Sequence, residues 1–487
     1  MKQQRGAPRS MPMQHGRQPM TAEHRREMVR GYHVRTLWIP LMLLVVGVWL
    51  ATAPFTFGYL GSGSAGPRVA EVTRLRGLAN VGTRGLWMAT NDLVAGLLLI
   101  SFALLSLRPG AIWPRWAAAG VGAWLVFAPL FLWAPTSAAF LNDTLVGILV
   151  VALTILIPMM PGMMLIMQPG PEVPPGWSYN PSAWLQRAPL IALSWTSFFF
   201  ARYLAAYQLG YLDAAVDPFF GDGTMWVLDS SVSLAFPISD AGLGAAAITI
   251  EALMGYMGGT SRWRTMPWMV TFFGILVIPL GVAHVVLVIL QPVVVGSWCT
   301  FCLAAAIPML IMIPLALDEV VAMVQFIRER LRRGDAFWSV FFKGGTLDAD
   351  GGDERTPGYP GSPGRLAAAA AWGVTVPWTL AVGALAGVWL MISPDVLGAT
   401  GSVADANRIV GATAVVVAVV ATAELARGLR FLNVVVGAAA LVVPMLLGDA
   451  PAGLWWTNVG VAAVLVASTL PRGAIRQSYG SADRFVR

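Results

Sequence analysis

At 487 residues, 57% hydrophobic and 12% charged, with a mean hydropathy of +0.68, the chain is too apolar for a water-soluble protein of its size. It reads as an all-α, polytopic membrane protein. The net charge of +7 does not signal nucleic-acid binding, because the basic residues fall where membrane topology wants them. Two cysteines cannot close a tetrahedral zinc site and the four histidines are scattered; no P-loop or dinucleotide fingerprint is present.

Residues 1–36 form a basic, polar tail without the apolar core of a signal peptide. Apolar stretches of about 20 residues, the length that crosses a bilayer, follow at 37–60, 87–107, 116–135 and 143–167. A central set lies at 187–211, 237–258, 266–290 and 298–324, and a last set at 367–393, 407–423, 429–447 and 454–470. They predict twelve transmembrane helices in three groups of four. Gln168 to Gly176, rich in helix breakers, separates the first two groups. The stretch 328–365, with Arg328, Arg330, Arg332 and Arg333 before a Gly/Asp/Pro run, separates the last two as a flexible linker. The implied organisation is a tail (1–36), four helices (37–167), four helices (176–330), a linker (331–366), four helices (367–470) and a tail (471–487).

The Lys/Arg distribution orients these spans. With the N-terminus in the cytoplasm, the inside segments hold Arg25, Arg26, Arg30, Arg35, Arg108, Arg115, Arg187, Arg262 and Arg264. They also hold the 328–333 cluster, Arg427, Arg430 and the C-terminal arginines. The outside loops 136–142, 212–236, 291–297, 394–406 and 448–453 contain no Lys or Arg. The exception is 61–86, with Arg68, Arg74, Arg76 and Arg84. Both termini are expected in the cytoplasm, where basic tails also favour an anionic leaflet.

A pattern repeats in the outer groups. Gly47, Trp49 and Pro54 recur as Gly122, Trp124 and Pro129, as Gly387, Trp389 and Pro394, and in degraded form from Gly437 to Pro444. Each copy precedes a helix that opens near an asparagine: Asn91, Asn142, Asn407 and Asn458. Each unit reads as a helical hairpin in which Gly allows close helix contact, Pro ends the helix and Asn caps the next one. The tryptophans suit the interfacial belt. Over 37–167 and 367–470 this resembles the SPW-repeat family, a bacterial membrane module, although only Ser393-Pro394 keeps the Ser-Pro pair. That resemblance implies a bacterial plasma membrane and packing hairpins, and no chemistry.

Cys299 and Cys302 sit three apart at the start of the eighth apolar stretch. On a helix this spacing puts both sulfurs on one face within reach of a disulfide. The first would lie at the helix N-terminus, where the dipole favours a thiolate. The plainer alternative is two buried thiols acting as small hydrophobes. The orientation above places the pair at the outer face, the oxidising side.

The block 176–330 resembles the vitamin K epoxide reductase family: four helices with Cys-x-x-Cys at the outer start of the fourth. Here that start reads Trp298-Cys299-Thr300-Phe301-Cys302. A loop with Asp217, Pro218, Phe219, Phe220 and Gly221, then Ser230, Ser231 and Ser233, precedes a helix opening with Pro237, Ser239 and Asp240. The resemblance implies a membrane thiol–quinone oxidoreductase with a menaquinone- or ubiquinone-type co-substrate and an extracytoplasmic thioredoxin-like partner. It assigns Cys302 to the quinone and Cys299 to exchange with the partner, and puts Asp240, Ser233 and Trp298 at the quinone. A buried Asp240 would hold a proton for a reduced quinone oxygen; otherwise it complements the helix dipole beside a Ser239 cap. Two departures stand out. Loop 212–236 lacks the cysteine pair that many family members use as a shuttle, and Ala306 replaces a quinone-contacting tyrosine. The rival reading is a non-enzymatic or transporter-like scaffold that keeps the fold, which the missing loop cysteines favour. Arg202, Glu251 and His284 are further intramembrane polar residues, with Arg202 expected to pair with Asp240 or Glu251 and His284 to bond a neighbouring helix carbonyl.

Overall fold

The computed structural model describes residues 22–59, 66–108, 111–157, 170–347, 362–448 and 451–486. Long helices occupy all twelve predicted positions. They are α1 (Trp38–Thr56), α2 (Val81–Ser106), α3 (Trp113–Phe131), α4 (Ser137–Val151), α5 (Trp184–Gln208) and α6 (Asp240–Tyr256). Then come α7 (Pro267–Leu290), α8 (Thr300–Arg332), α9 (Trp378–Leu397), α10 (Gly401–Val420), α11 (Leu432–Leu447) and α12 (Ala452–Thr469). Among the described residues nine are long and apolar enough to cross a membrane, which makes the chain a polytopic, all-helical membrane protein. The other three, α3, α5 and α6, fall short of that standard. In two of them the reason is visible: α5 carries Arg187, Arg202 and Gln208, and α6 is only 17 residues long.

The repeat glycines pack helix against helix. A Cβ on Gly47 would lie 2.9 Å from the Gly96 carbonyl oxygen, and one on Gly96 2.6 Å from that of Gly47. Gly122 meets Gly147 and Gly387 meets Gly411 in the same way. Only a residue without a side chain lets the two backbones come this close. The repeat prolines, Pro54, Pro129, Pro394 and Pro444, stand inside the last turn of their helices.

The asparagines do not cap. Asn91, Asn142, Asn407 and Asn458 all lie within helices; Asn80 caps α2 and Thr136 caps α4. Instead they join the repeats. Trp49 Nε1 donates to Asn142 Oδ1 (2.9 Å) and Trp124 Nε1 to Asn91 Oδ1 (2.8 Å), so each copy's tryptophan binds the other copy's asparagine. Beside them lie the buried Asp92 and Asp143, bridged by Asn91 Nδ2 at 3.1 and 3.2 Å. Asn407 and Asn458, which stand four residues before the close-packed positions as those aspartates do, bond each other at 3.0 and 2.9 Å. Away from water a polar side chain must find a partner, and the nearest one is on the sister helix.

Helices α5–α8 form the central bundle, whose core holds Phe198, Ile248, Met269, Phe273, Met309 and Met312. At the end away from the cysteines, Arg262 makes a bidentate pair with Glu319 (2.5 and 2.6 Å), and its Nη1 donates to the carbonyls of Met254 and Met257 at the end of α6. An arginine counted as an inside charge is thus wholly buried.

The predicted linker is ordered at both ends. Arg328–Arg332 complete α8, and short helices follow at Phe337–Lys343 and Pro363–Ala370. The C-terminal tail also docks: Tyr479 pairs with Trp177 through a β-bridge, and its buried hydroxyl donates to Glu424 Oε2 (2.9 Å). The distal part of the fourth predicted span (158–167), the N-terminal residues 1–21 and the linker centre 348–361 lie outside the described residues.

Gly96→Ile forces α1 and α2 apart. The midpoint of thermal unfolding in detergent is expected to fall, with a loss on the order of 1–3 kcal/mol as for other overpacked contacts; an unchanged midpoint would contradict the close packing.

Candidate functional site

Helix α8 begins at Thr300, and Cys299 is its N-cap residue, in extended conformation. Its Sγ lies 3.1 Å from the Cys302 amide, and the two cysteines form a disulfide with a Cα–Cα distance of 5.3 Å. The approach to this mouth is shaped by a wide turn at Gln291–Val295 and a left-handed Gly296 (φ 74°), a conformation that glycine takes without cost. Gln291 Oε1 accepts from the Cys299 amide at 3.0 Å.

The loop between α5 and α6 is fastened to the same helix start by Asp217. Its Oδ2 accepts from the Thr300 amide (3.0 Å) and Thr224 Oγ1 (2.6 Å), and its Oδ1 from the amides of Phe219 and Phe220 and from Thr300 Oγ1. Burial works against ionisation here. The hydroxyl bonds from Thr224 and Thr300 and the amide bonds outweigh it and hold the carboxyl below the usual aspartate range. Under this loop Cys299 is 0% exposed, with Thr224 Oγ1 at 3.5 Å from its sulfur.

Cys302 differs. Its side chain lines a cavity of about 80 Å³ that opens in part to the surroundings. Each element of the central bundle contributes to the wall: Ala201 and Leu204 from α5, Gly244 from α6, His284 and Leu287 from α7, Ala306 from α8. The loop adds Leu228, Ser230 and Ser233. Ser233 Oγ donates to Asp240 Oδ1 (2.9 Å), and Gln208 Nε2 donates to both Ser233 Oγ (2.7 Å) and Asp240 Oδ1 (2.5 Å). Asp240 is the first residue of α6, behind the Ser239 cap whose Oγ accepts from Gly242 N (2.9 Å). It is partly exposed to the cavity, so the condition of a buried carboxyl is not met.

The structure therefore brings Cys302, Ser233 and Asp240 to one cavity. Trp298 is not among its wall residues; its ring packs 6.5 Å from that of Phe220 in the loop between α5 and α6. Arg202 pairs with neither expected acid among the described residues. Asp240 is taken by Gln208 and Ser233, and the buried Glu251 by Ser194 Oγ (2.8 Å). Arg202 lies six residues before Gln208 on α5, about 120° around the helix, and faces a crevice against α3 and α4 instead. His284 bonds a carbonyl of its own helix, Leu280, at 2.8 Å.

Sequence reading missed Gln208, Gln291 and the Asp217–Thr300 tie. Gln291 had a signal, a lone amide in an apolar run; the tie had none, since 83 residues separate its ends. Three of the four arginines that broke the charge rule are also explained. Arg68 pairs with Asp229 (3.1 Å) and Tyr207, Arg76 donates to the Phe236 carbonyl, and Arg84 to that of Trp133. Arg68 and Arg76 bind the first four-helix region to the central block beside the cavity, while Arg84 bonds within its own region.

Asp217→Ala is expected to speed reduction of the disulfide by a water-soluble phosphine on the order of tenfold or more, since hydrogen bonds to a charged group contribute about 1.5–3 kcal/mol each. Because the folded carboxyl titrates below its unfolded value, the tie is complete above about pH 4 and is lost only as the pH falls through the depressed value. Phosphine reduction at neutral pH that is equally fast in both proteins would contradict this.

Over residues 188–317 the chain matches the model of the vitamin K epoxide reductase family, and over 37–157 that of the SPW repeat domain. Comparison with curated proteins and with solved structures gave no match. A four-helix bundle with its cysteine pair at the mouth of the fourth helix, beside close-packed glycine hairpins, is thus a vitamin K epoxide reductase family domain joined to an SPW repeat domain.

Proposed function

We propose that this chain is a membrane thiol–quinone oxidoreductase that passes electrons between an extracytoplasmic dithiol and a membrane quinone of the menaquinone or ubiquinone type. One observation carries the reading: the two sulfurs of a single disulfide have different surroundings. Cys302 lines an apolar cavity with a few placed polar groups, the make-up of a small-molecule site. Cys299 lies under the outer loop. Thiol–disulfide exchange needs both sulfurs, one to hold the mixed disulfide and one to resolve it. Cys302 then serves the quinone and Cys299 the partner, a thioredoxin-like protein that engages once the Asp217 tie opens. Ser233 and Asp240 contact a quinone oxygen, and Trp298 belongs to the outer loop that the partner meets.

In this reading all twelve helices span a bacterial plasma membrane in three groups of four. The central bundle shields the polar faces of α5 and α6, which supports counting them. Both termini are cytoplasmic and the cysteines are at the outer face, in keeping with the arginine-free loops 212–236 and 291–297. The third group, 367–470, is a second SPW-type region, supported by its Gly387–Gly411 contact and its Asn407–Asn458 pair. The rival scaffold reading is favoured by two facts, the missing loop cysteines and the full burial of Cys299.

Cys302→Ser leaves Cys299 unable to resolve a mixed disulfide. In intact membranes it is expected to accumulate a covalent adduct with an extracytoplasmic thiol protein, and quinone-dependent oxidation of that protein should fall to background. If no adduct forms and the unsubstituted protein turns over no quinone, the scaffold reading stands.

A further inference from the structure

His284 is the one histidine of the central bundle, on an otherwise apolar helix where a titratable group is costly. Its Nδ1 lies 2.8 Å from the carbonyl oxygen of Leu280, one turn earlier. A carbonyl can only accept, so the neutral ring carries its proton on Nδ1 and keeps a lone pair on Nε2. Nε2 has no partner among the described residues. It faces the space above Gly244: a Cβ added there would sit 3.7 Å from it. His284 and Gly244 both line the cavity that Cys302 lines. The ring is thus oriented by its own helix, with its free nitrogen turned to a gap that a missing side chain leaves open.

We propose that His284 is a catalytic residue of this cavity, whose Nε2 takes up one of the two protons of quinone reduction and, once protonated, donates a hydrogen bond to one quinone oxygen and delivers that proton to it. This rests on the reading of the cavity as a quinone site. The step balances as follows. The dithiol of Cys299 and Cys302 loses two electrons and two protons, both S–H bonds break and the S–S bond forms. The quinone gains two electrons and two protons and leaves as the hydroquinone. Nε2 takes the Cys302 thiol proton, which leaves a thiolate, and passes it to the nearer quinone oxygen; the ring ends as it began. The second proton, released by the Cys299 thiol as the S–S bond forms, is taken up by the other quinone oxygen. In the opposite direction the same lone pair accepts the hydroquinone proton.

The test uses the full chain in phosphatidylethanolamine–phosphatidylglycerol nanodiscs, with ubiquinone-1 and menadione as probes. Binding is followed by tryptophan fluorescence quenching, and single-turnover quinone reduction by the prereduced protein is followed by absorbance. His284→Gln keeps a hydrogen-bonding group and cannot carry a proton. It is expected to bind quinone within about threefold of the unsubstituted protein and to reduce it about 100-fold more slowly, within the usual range for general acid–base catalysis. Gly244→Ala, which suits a helix interior, fills the gap beside Nε2 and is expected to weaken binding while the disulfide still forms. If His284→Gln reduces quinone at the unsubstituted rate, or Gly244→Ala leaves binding unchanged, the role of His284 is overturned while the cavity remains a quinone site. If the unsubstituted protein reduces neither quinone, the reading of the cavity falls and the role of His284 with it.

Discussion

Asp217 accepts five hydrogen bonds, three from its own loop between α5 and α6 and two from Thr300 in the first turn of α8. A helix start leaves amide donors without partners, and here a carboxylate from elsewhere in the chain takes the first of them. The same contact holds the loop over Cys299 and leaves Cys302 to the cavity behind it. The different surroundings of the two sulfurs therefore depend on one exposed-loop residue meeting one helix end. Without that closure Cys299 would face water, and the two sulfurs of the disulfide would no longer differ so sharply in their surroundings.

The SPW repeat domain is more than a neighbour of this arrangement. Its segment between α1 and α2 lays Val69 against Gly210 at the end of α5, where a Cβ would come within 2.9 Å of backbone. Arg68 reaches Asp229 and Tyr207, on either side of the loop that supplies Ser230 and Ser233. Two of the guanidinium groups that looked misplaced for a membrane protein, Arg68 and Arg76, are thus used between domains. Partnered by carboxylate, phenol and carbonyl groups, they weigh less in orienting the chain than free charges do.

The repeat itself illustrates how a motif can be recognised for the wrong reason. The glycine pairs behave as the spacing implies, because only backbone geometry is involved. The asparagines were legible as positions but not as partners. A cap requires the residue to stand at a helix boundary, and α2 and α4 begin before Asn91 and Asn142, at Val81 and Ser137. Once inside a helix, each amide can only reach sideways, and the tryptophan of the sister hairpin is what it meets.

Composition and hydropathy alone determined the class of the protein and the approximate positions of twelve long helices, nine of them long and apolar enough to cross a membrane, because a helix that buries its backbone in hydrocarbon demands a long apolar run. The spacing of Cys299 and Cys302 likewise determined that a disulfide was within reach, since both lie in one helical turn. What only the tertiary structure decided is which groups share a space. Gln208 meets Asp240, Asp217 meets Thr300, and His284 joins Cys302 at one cavity, all across helix-to-helix distances on which sequence separation is silent. Local contacts follow from the periodicity of a single element, whereas these depend on how several elements rotate and slide against one another, which is set by side chains throughout the bundle.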